Sequence, residues 1–209
     1  MLRFLGKAQL YFLFACAVAL VDQGLKIMVK LRMDLYEEVQ IFGNHVKFYF
    51  TENNGFAFGL ELFQLLEEIG IYMTPHTSKT ILSLFSLIAV ILLGLVLYRF
   101  SDHRSRLPWF IALIFGGALG NIIDRMFYGM FFQSINQYAG GFLHGRVVDM
   151  IFLDFGGAYY LTPVFNLADV AITFGLIIVL IFQGVFMRRH ERKLAMEYAD
   201  QIALQHSST

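Results

Sequence analysis

The chain has 209 residues, of which 57% are hydrophobic and only 15% are charged. Soluble domains carry about 45–50% apolar and about 25% charged residues, so this composition excludes an ordinary soluble domain and favours a protein embedded in a membrane. The formal net charge is zero, which gives no reason to expect a nucleic acid as a partner.

The N-terminal segment ends in an apolar run that resembles a signal peptide. Arg3 and Lys7 precede the run, and Leu13-Phe14-Ala15-Cys16, which contains the only cysteine, loosely resembles a lipobox. Phe14 is a poor residue for such a site, and the apolar run continues through Val21. We therefore predict that Cys16 is a buried residue of a membrane helix rather than a lipid-modified one.

Four stretches are apolar and long enough to cross a bilayer, for which a helix needs about 20 residues. The second is the cleanest, since Thr80–Tyr98 contains no charge. The first stretch contains two charged residues, Asp22 and Lys26, at its outer end. Their i,i+4 spacing allows an ion pair. The predicted spans cover about residues 8–29, 80–98, 107–127 and 168–187.

Basic residues are concentrated before span one, between spans two and three, and after span four. They are Arg3, Lys7, Arg99, Arg104, Arg106, Arg188, Arg189, Arg192 and Lys193. Short loops rich in Lys and Arg stay in the cytoplasm, so we predict that both termini are cytoplasmic. The two long loops, about 30–79 and 128–167, then face outward.

The outer loops carry their own secondary-structure patterns. Val39–Thr51 alternates around Gly43-Asn44 and predicts a β-hairpin, and a second hairpin is predicted with Arg146–Asp154 and Tyr159–Phe165 flanking Gly156-Gly157. Glu61–Met73 has helical apolar periodicity. It predicts either an amphipathic helix in the membrane interface or one packed on the strands. The polar tail Arg188–Thr209 is predicted to be a cytoplasmic helix.

Four aspartates are predicted near the outer membrane surface, where ionisable groups are costly: Asp22, Asp124, Asp149 and Asp169. Two carboxylates held close share one proton, so that one can act as general base on water and the other as general acid. Such a pair favours amide hydrolysis. Span three also contains a GxxxG pattern at Gly116 and Gly120, which predicts close packing against span one or span four.

Each aspartate also has a structural interpretation. Asp169 could cap span four, Asp22 could pair only with Lys26, Asp124 could form an ion pair, and Asp149 could serve a turn. The residue types alone therefore do not say which two act. A small proton-coupled transporter or channel subunit using Asp22, Asp124 and Asp169 as a relay, and a purely structural subunit, are the alternatives.

Five segments then identify a family resemblance. The segment 116–125, GGALGNIIDR, resembles the GGxxGNxxDR signature of lipoprotein signal peptidase, also called signal peptidase II. VVD at 147–149 and FNLAD at 165–169 resemble two further motifs of that family. The segment 53–58 is similar to its NxGxAF motif and 22–26 to its DxxxK motif.

The resemblance implies an α-helical integral membrane protein of the bacterial inner membrane, a single peptidase domain over 1–209. Four transmembrane helices, a small extracytoplasmic β-cradle and an interfacial amphipathic helix are expected. The implied activity is that of an aspartic endopeptidase, blocked by globomycin, that cuts diacylglyceryl-modified prolipoproteins immediately before the lipidated cysteine. The expected partners are these substrates and membrane lipid, with no metal or other cofactor and no oligomer required.

The resemblance also assigns roles to residues. Asp149 and Asp169 match the catalytic pair. Matching substrate-binding positions are Asn53, Gly55, Asn121, Arg125 and Asn166, and the supporting positions are Asp22, Lys26 and Asp124. One departure stands out, because the segment Met130–Leu143 is extra relative to the family. Its Gln, Asn and Gly residues predict a mobile polar loop that gates access and whose shortening leaves the fold intact.

Overall fold

A computed structural model describes residues 6–55, 70, 72–138, 140–155 and 163–207 of the chain. Four helices in this described part are long and apolar enough to cross a membrane, so the chain is a multi-pass membrane protein. They are α1 (Lys7–Arg32), α2 (Pro75–Phe100), α3 (Leu107–Ile123) and α4 (Leu167–Ser207). Beyond Ile123, α3 continues as a π-helical turn, Asp124–Tyr128, and a last α-helical turn, Gly129–Phe131.

Helix α3 lies at the centre of the bundle, where its glycines allow close approach on two sides. A Cβ atom at Gly116 would lie 2.6 Å from the carbonyl oxygen of Ala15 in α1. One at Gly117 would lie 2.5 Å from the carbonyl oxygen of Ala168 in α4. The packing predicted from the GxxxG pattern is confirmed, and it involves both α1 and α4.

Three antiparallel strands form one sheet in the order β1 (Glu38–Phe42), β2 (Val46–Asn53) and β3 (Val147–Leu153). The predicted hairpin over Val39–Thr51 is confirmed, with Gly43 at a φ of 54° in its turn. A left-handed backbone of this kind costs glycine nothing, which explains its place there.

The second predicted hairpin is only partly present in the described residues. Strand β3 forms, and Phe165 makes an isolated antiparallel bridge to Ile151 instead of belonging to a full strand. The predicted turn at Gly156-Gly157 lies outside the described residues. So do most of the predicted interfacial helix Glu61–Met73 and the Phe56–Phe58 part of the NxGxAF motif.

The basic segments lie together at one end of the bundle, and the sheet lies at the other. Arg104, in the loop between α2 and α3, contacts Glu197 near the end of α4 at 3.2 Å. Tyr11, near the start of α1, packs edge-on against Trp109 at the start of α3. The predicted tail helix is confirmed as far as Ser207, as a direct continuation of α4.

The prediction that Cys16 is buried is wrong. The side chain is exposed on the surface of α1. The buried face of this helix is instead occupied by Ala15 and Ala19, whose small side chains allow α3 to approach. Cys16 therefore lies on the side of α1 that is turned away from the bundle.

The extra segment Met130–Leu143 makes hydrogen bonds to α2 and to the end of α3, and its predicted mobility stays a prediction. At its end, Leu143 donates its N–H to the carbonyl of Met126 and accepts a hydrogen bond from the Ser83 hydroxyl in α2. In its middle, the Asn136 side chain donates to the carbonyl of Tyr128 at 3.0 Å. These bonds hold the segment against α2 and the end of α3, while Gln133, Ser134 and Gln137 stay exposed.

Candidate active site

Asp149 and Asp169 come together around one buried asparagine. Asp149 lies on β3 and Asp169 in the first turn of α4. The side-chain amide of Asn166 donates to Asp149 Oδ1 at 2.6 Å, and its oxygen accepts from the backbone N–H of Asp169 at 2.9 Å. Asn166 is fully buried, so both carboxylates are fixed relative to a single rigid group.

Helix α4 begins at this point because Asn166 and Asp169 cap it reciprocally. Besides the bond just described, the backbone N–H of Asn166 donates to Asp169 Oδ2 at 3.1 Å. Two otherwise unpaired donors of the first turn are thereby satisfied, as in a capping box. The structural interpretation of Asp169 as a helix cap is confirmed, and its other oxygen, Oδ1, is still directed to Asn121 at 2.9 Å.

Asp149 is placed by the sheet and almost fully buried. It pairs with Thr51 of β2 in the strand register, is 2% exposed, and also receives a hydrogen bond from the Asn53 side chain. Burial, and secondly the negative charge of Asp169, raise the pKa of Asp149 to about 7. Asp149 therefore keeps a proton at a pH where an ordinary aspartate is ionised.

A charged arginine lies beside the pair. Arg125 is in the π-helical turn after α3, and its guanidinium donates to the carbonyl of Gly55 at 2.9 Å. Its positive charge interacts with those of Asp149 and Asp169. Arg125 thus connects the loop after β2 to the carboxylates.

Behind the pair lies a buried ion cluster. Lys26 Nζ is 2.8 Å from Asp22 and 2.9 Å from Asp124, and none of the three side chains is exposed. The predicted Asp22–Lys26 pair is confirmed, and so is Asp124 as a member of an ion pair. Asp22 further accepts the backbone N–H of Ala168, which anchors the start of α4.

The cluster is connected to the aspartate pair through Asn121. Lys26 Nζ donates to Asn121 Oδ1 at 2.8 Å, and Asn121 Nδ2 donates to Asp169 Oδ1 at 2.9 Å. A lysine ammonium can only donate, so the amide oxygen must face Lys26 and the amide nitrogen must face Asp169. Lys26 thereby determines that the amide nitrogen of Asn121, and not its oxygen, faces Asp169.

The sequence analysis missed Gln23 and Tyr128 as members of this cluster. Gln23 donates to Asp124 at 2.8 Å and to the carbonyl of Gly120 at 3.0 Å, and it accepts from the Tyr128 hydroxyl at 2.9 Å. The available signal was a glutamine directly beside Asp22 inside an apolar span. Its partners are about a hundred residues away, and no local pattern indicates them.

A cavity of about 740 Å³ adjoins the two carboxylates. Its polar end is formed by Asn53, Asn121, Arg125, Asp149 and Asp169, and its apolar side includes Val170, Ile172, Thr173, Phe174 and Ile177 of α4. Phe174 and Ile177 are about half exposed on the outside of the bundle. The cavity therefore adjoins the lipid-facing surface and suits a ligand with one polar and one apolar part.

Every site residue predicted from the sequence lies in this region. Asn166 and Gly55 bond to the groups at the polar end of the cavity, and Asp22, Lys26 and Asp124 lie behind Asn121. Within the described ranges, no three His, Cys, Asp or Glu side chains are grouped so that they could hold a metal ion. A protonated and an ionised carboxylate beside a cavity can activate water against a carbonyl carbon.

Sequence comparisons with known proteins agree on one family, and a solved structure has a similar fold. The family model described as "Signal peptidase (SPase) II" matches residues 14–186. A lipoprotein signal peptidase of Porphyromonas gingivalis is 36% identical over 188 residues, covering 77% of this chain and 76% of that protein. One of Chlorobium phaeobacteroides is 35% identical over 192 residues, covering 87% and 99%. A solved bacterial membrane enzyme matches with a TM-score of 0.55 and 26% identity, over 82% of this chain and 85% of that one.

Proposed function

Because the chain belongs to the signal peptidase II family, it removes signal peptides from prolipoproteins, and we propose that it does so as an aspartic peptidase with Asp149 and Asp169 as its catalytic carboxylates. The observation that carries the proposal is that Asn166 donates to both carboxylates at the polar end of the cavity, to Asp149 from its side-chain amide and to Asp169 from its backbone N–H. The transporter alternative is not favoured, since the chain's relatives are peptidases.

The hydrogen bonds support different roles for the two aspartates. Asp169 accepts one donor on each oxygen, from Asn121 and from the backbone of Asn166, so both of its oxygens act as acceptors in this arrangement. Asp149, with its raised pKa, carries the shared proton. In the proposed reaction, Asp169 takes a proton from water as the water attacks the scissile carbonyl, and Asp149 donates a hydrogen bond to the carbonyl oxygen. The departing amine then receives a proton from the pair.

The proposed substrate is a prolipoprotein carrying diacylglycerol on its cysteine, cut immediately before that residue. The polar end of the cavity suits the peptide, with Asn53 and Arg125 beside the scissile bond. The apolar side, along α4 from Val170 to Ile177, suits the acyl chains. The lipid would then enter sideways from the bilayer.

Cleavage should depend on the lipid. Burial of each methylene contributes about 0.8 kcal/mol, so the acyl chains would provide much of the binding free energy. We expect a precursor peptide with a bare cysteine to be cut poorly or not at all, measured against the same peptide carrying diacylglycerol. Equal turnover of the two peptides would contradict the proposed use of the apolar side.

Cleavage should also be lost as the pH rises through neutrality. The pKa of Asp149 in the folded protein is about 7, above its ordinary value, so the needed proton is present below this pH and lost above it. We expect kcat/KM for the lipidated peptide to fall with an apparent pKa near 7. Substrate binding at each pH serves as the control for folding. A rate that stays level well above neutral pH would contradict the assignment of the proton.

We further propose that the protein lies in the bacterial inner membrane, with both termini cytoplasmic and the active site near the outer leaflet surface. The basic segments grouped at the end opposite the sheet support this orientation. Reporters fused after Arg104 and after Arg192 should read cytoplasmic, and those near Lys47 and Gly140 should read outside. A cytoplasmic signal from either long loop would place the active site on the wrong side.

A further inference from the structure

The extra segment carries no charge and exposes large apolar side chains. From Phe127 to Leu143 the sequence contains no Asp, Glu, Lys, Arg or His. Four of its side chains, here called the apolar rim, are 38–71% exposed: Met130, Phe131, Ile135 and Phe142. An apolar group of this kind in contact with water is unfavourable, so it indicates a surface that is covered by something else.

The segment lies beside the spans rather than above them. The Leu143 carbonyl accepts from Ser83 in α2 at 2.7 Å, and His144 contacts Thr80 one turn earlier at 3.0 Å. The charge-free part of α2 begins at Thr80, directly after Lys79. At about 1.5 Å per residue, Ser83 is about 4.5 Å inside that apolar stretch. Phe142, next to Leu143, is therefore at the depth of the membrane interface.

The apolar rim is held together and continuous with the lipid-facing surfaces of the helices. Phe127 stacks on Phe131 at 5.7 Å and packs against Phe142 at 5.8 Å, which joins the two ends of the segment. At the other side, Ile135 borders a cavity at the end of α1 whose lining includes the charged residues Lys30 and Glu52. The rim thus extends the apolar surface of α2 and α3 on the side of Phe131 and Phe142.

We propose that Met130, Phe131, Ile135 and Phe142 insert into the leaflet on the side of the sheet. Their insertion anchors the extra segment to the membrane. Lipid is the occupant because the rim has aromatic side chains, lacks charge, lies at interfacial depth and continues a lipid-facing surface. Polar side chains of the same segment, such as Asn136, bond inward to the protein. This inference is independent of which residues cleave the substrate.

Depth-resolved fluorescence quenching tests the proposal. Trp109 is the only tryptophan, so Trp109→Phe gives a protein without tryptophan fluorescence. One tryptophan is then introduced at a time. Phe131→Trp and Phe142→Trp probe the rim. Phe85→Trp, on the exposed surface of α2, is the lipid-facing control, and Asn44→Trp, in the turn between β1 and β2, is the aqueous control. Each full-length protein is placed in nanodiscs containing phosphatidylcholine brominated either near the headgroup or near the chain end.

We expect Phe131→Trp to lose most of its fluorescence with the lipid brominated near the headgroup. It should lose less with the lipid brominated near the chain end. Asn44→Trp should be quenched by neither, and only by acrylamide in water. Phe142→Trp provides the same readout if Phe131→Trp does not fold. Rim probes that behave like Asn44→Trp would overturn the proposal. Rim probes shielded from both lipid and acrylamide would also overturn it, because the rim would then be covered by protein, such as a second copy of the chain.

Discussion

Asp149→Asn and Asp169→Asn are each expected to abolish cleavage of a lipidated precursor while leaving a folded protein that still binds it. General acid–base catalysis contributes about 10²–10⁴-fold in rate, and each substitution removes one of the two groups that exchange the proton. Asn preserves the shape of the side chain. At position 149 the amide of Asn166 can still donate to the remaining oxygen, and at position 169 the remaining oxygen can still accept from the Asn166 N–H, so the start of α4 should survive with one hydrogen bond fewer.

Asp154→Asn is the matched control for the pair. Asp154 directly follows β3, the strand that carries Asp149, but its carboxylate pairs with Lys47 at 2.9 Å, away from the residues of the cavity. Its variant should retain full turnover. Asp124→Asn should act mainly through stability or binding. Substantial cleavage by either variant of the pair, together with an inactive yet well-folded Asp124→Asn, would show that the wrong carboxylates were chosen.

The spans and the first hairpin were predictable because their signals are local. A charge-free run such as Thr80–Tyr98 must be buried in lipid, and the Gly43-Asn44 turn between alternating residues determines its own pairing. The start of α2 was placed five residues late, since the helix begins at Pro75 with the Thr74 side chain accepting from the N–H of Thr77. Polar residues of this first turn do not contribute to an apolar pattern.

The residues that form the site could be predicted, but the contacts among them could not. The family resemblance selected Asp149, Asp169 and Asn121, whereas the residue types alone left each aspartate with a structural alternative. For Asp169 both interpretations hold geometrically, because one oxygen caps α4 and the other meets Asn121. Which atoms meet across sequence-distant helices depends on tertiary packing, and local periodicity carries no information about it.

The extra segment shows the same limitation. Its Asn, Gln and Gly content is typical of an exposed loop, and this led to the prediction of mobility. In the structure Asn136 bonds inward to Tyr128, while Phe131 and Phe142 are exposed beside Gln133 and Gln137. Composition alone does not say that large apolar side chains share the exposed surface with polar ones.

Lys26→Met is expected to destabilise the protein strongly, because it leaves Asp22 and Asp124 buried without a cation. Removing one partner of a buried ion pair typically costs about 3–5 kcal/mol in unfolding free energy. Thermal unfolding in detergent measures the loss. The matched control is Lys7→Met on the same helix, whose side chain is exposed and whose variant should unfold like the parent protein.

A charge-balanced variant separates the two roles of Lys26. Combining Lys26→Met with Asp22→Asn and Asp124→Asn removes all three buried charges, so much of the lost stability should return. Asn121 would still lack the donor that fixes its amide, and it could then turn its oxygen toward Asp169. That orientation places an acceptor oxygen against Asp169 Oδ1 in place of a donor, so the proposed base would lose the hydrogen bond that positions it. We therefore expect a folded protein with a reduced kcat and an altered pH profile, whereas full activity of this triple variant would limit Lys26 to charge neutralisation.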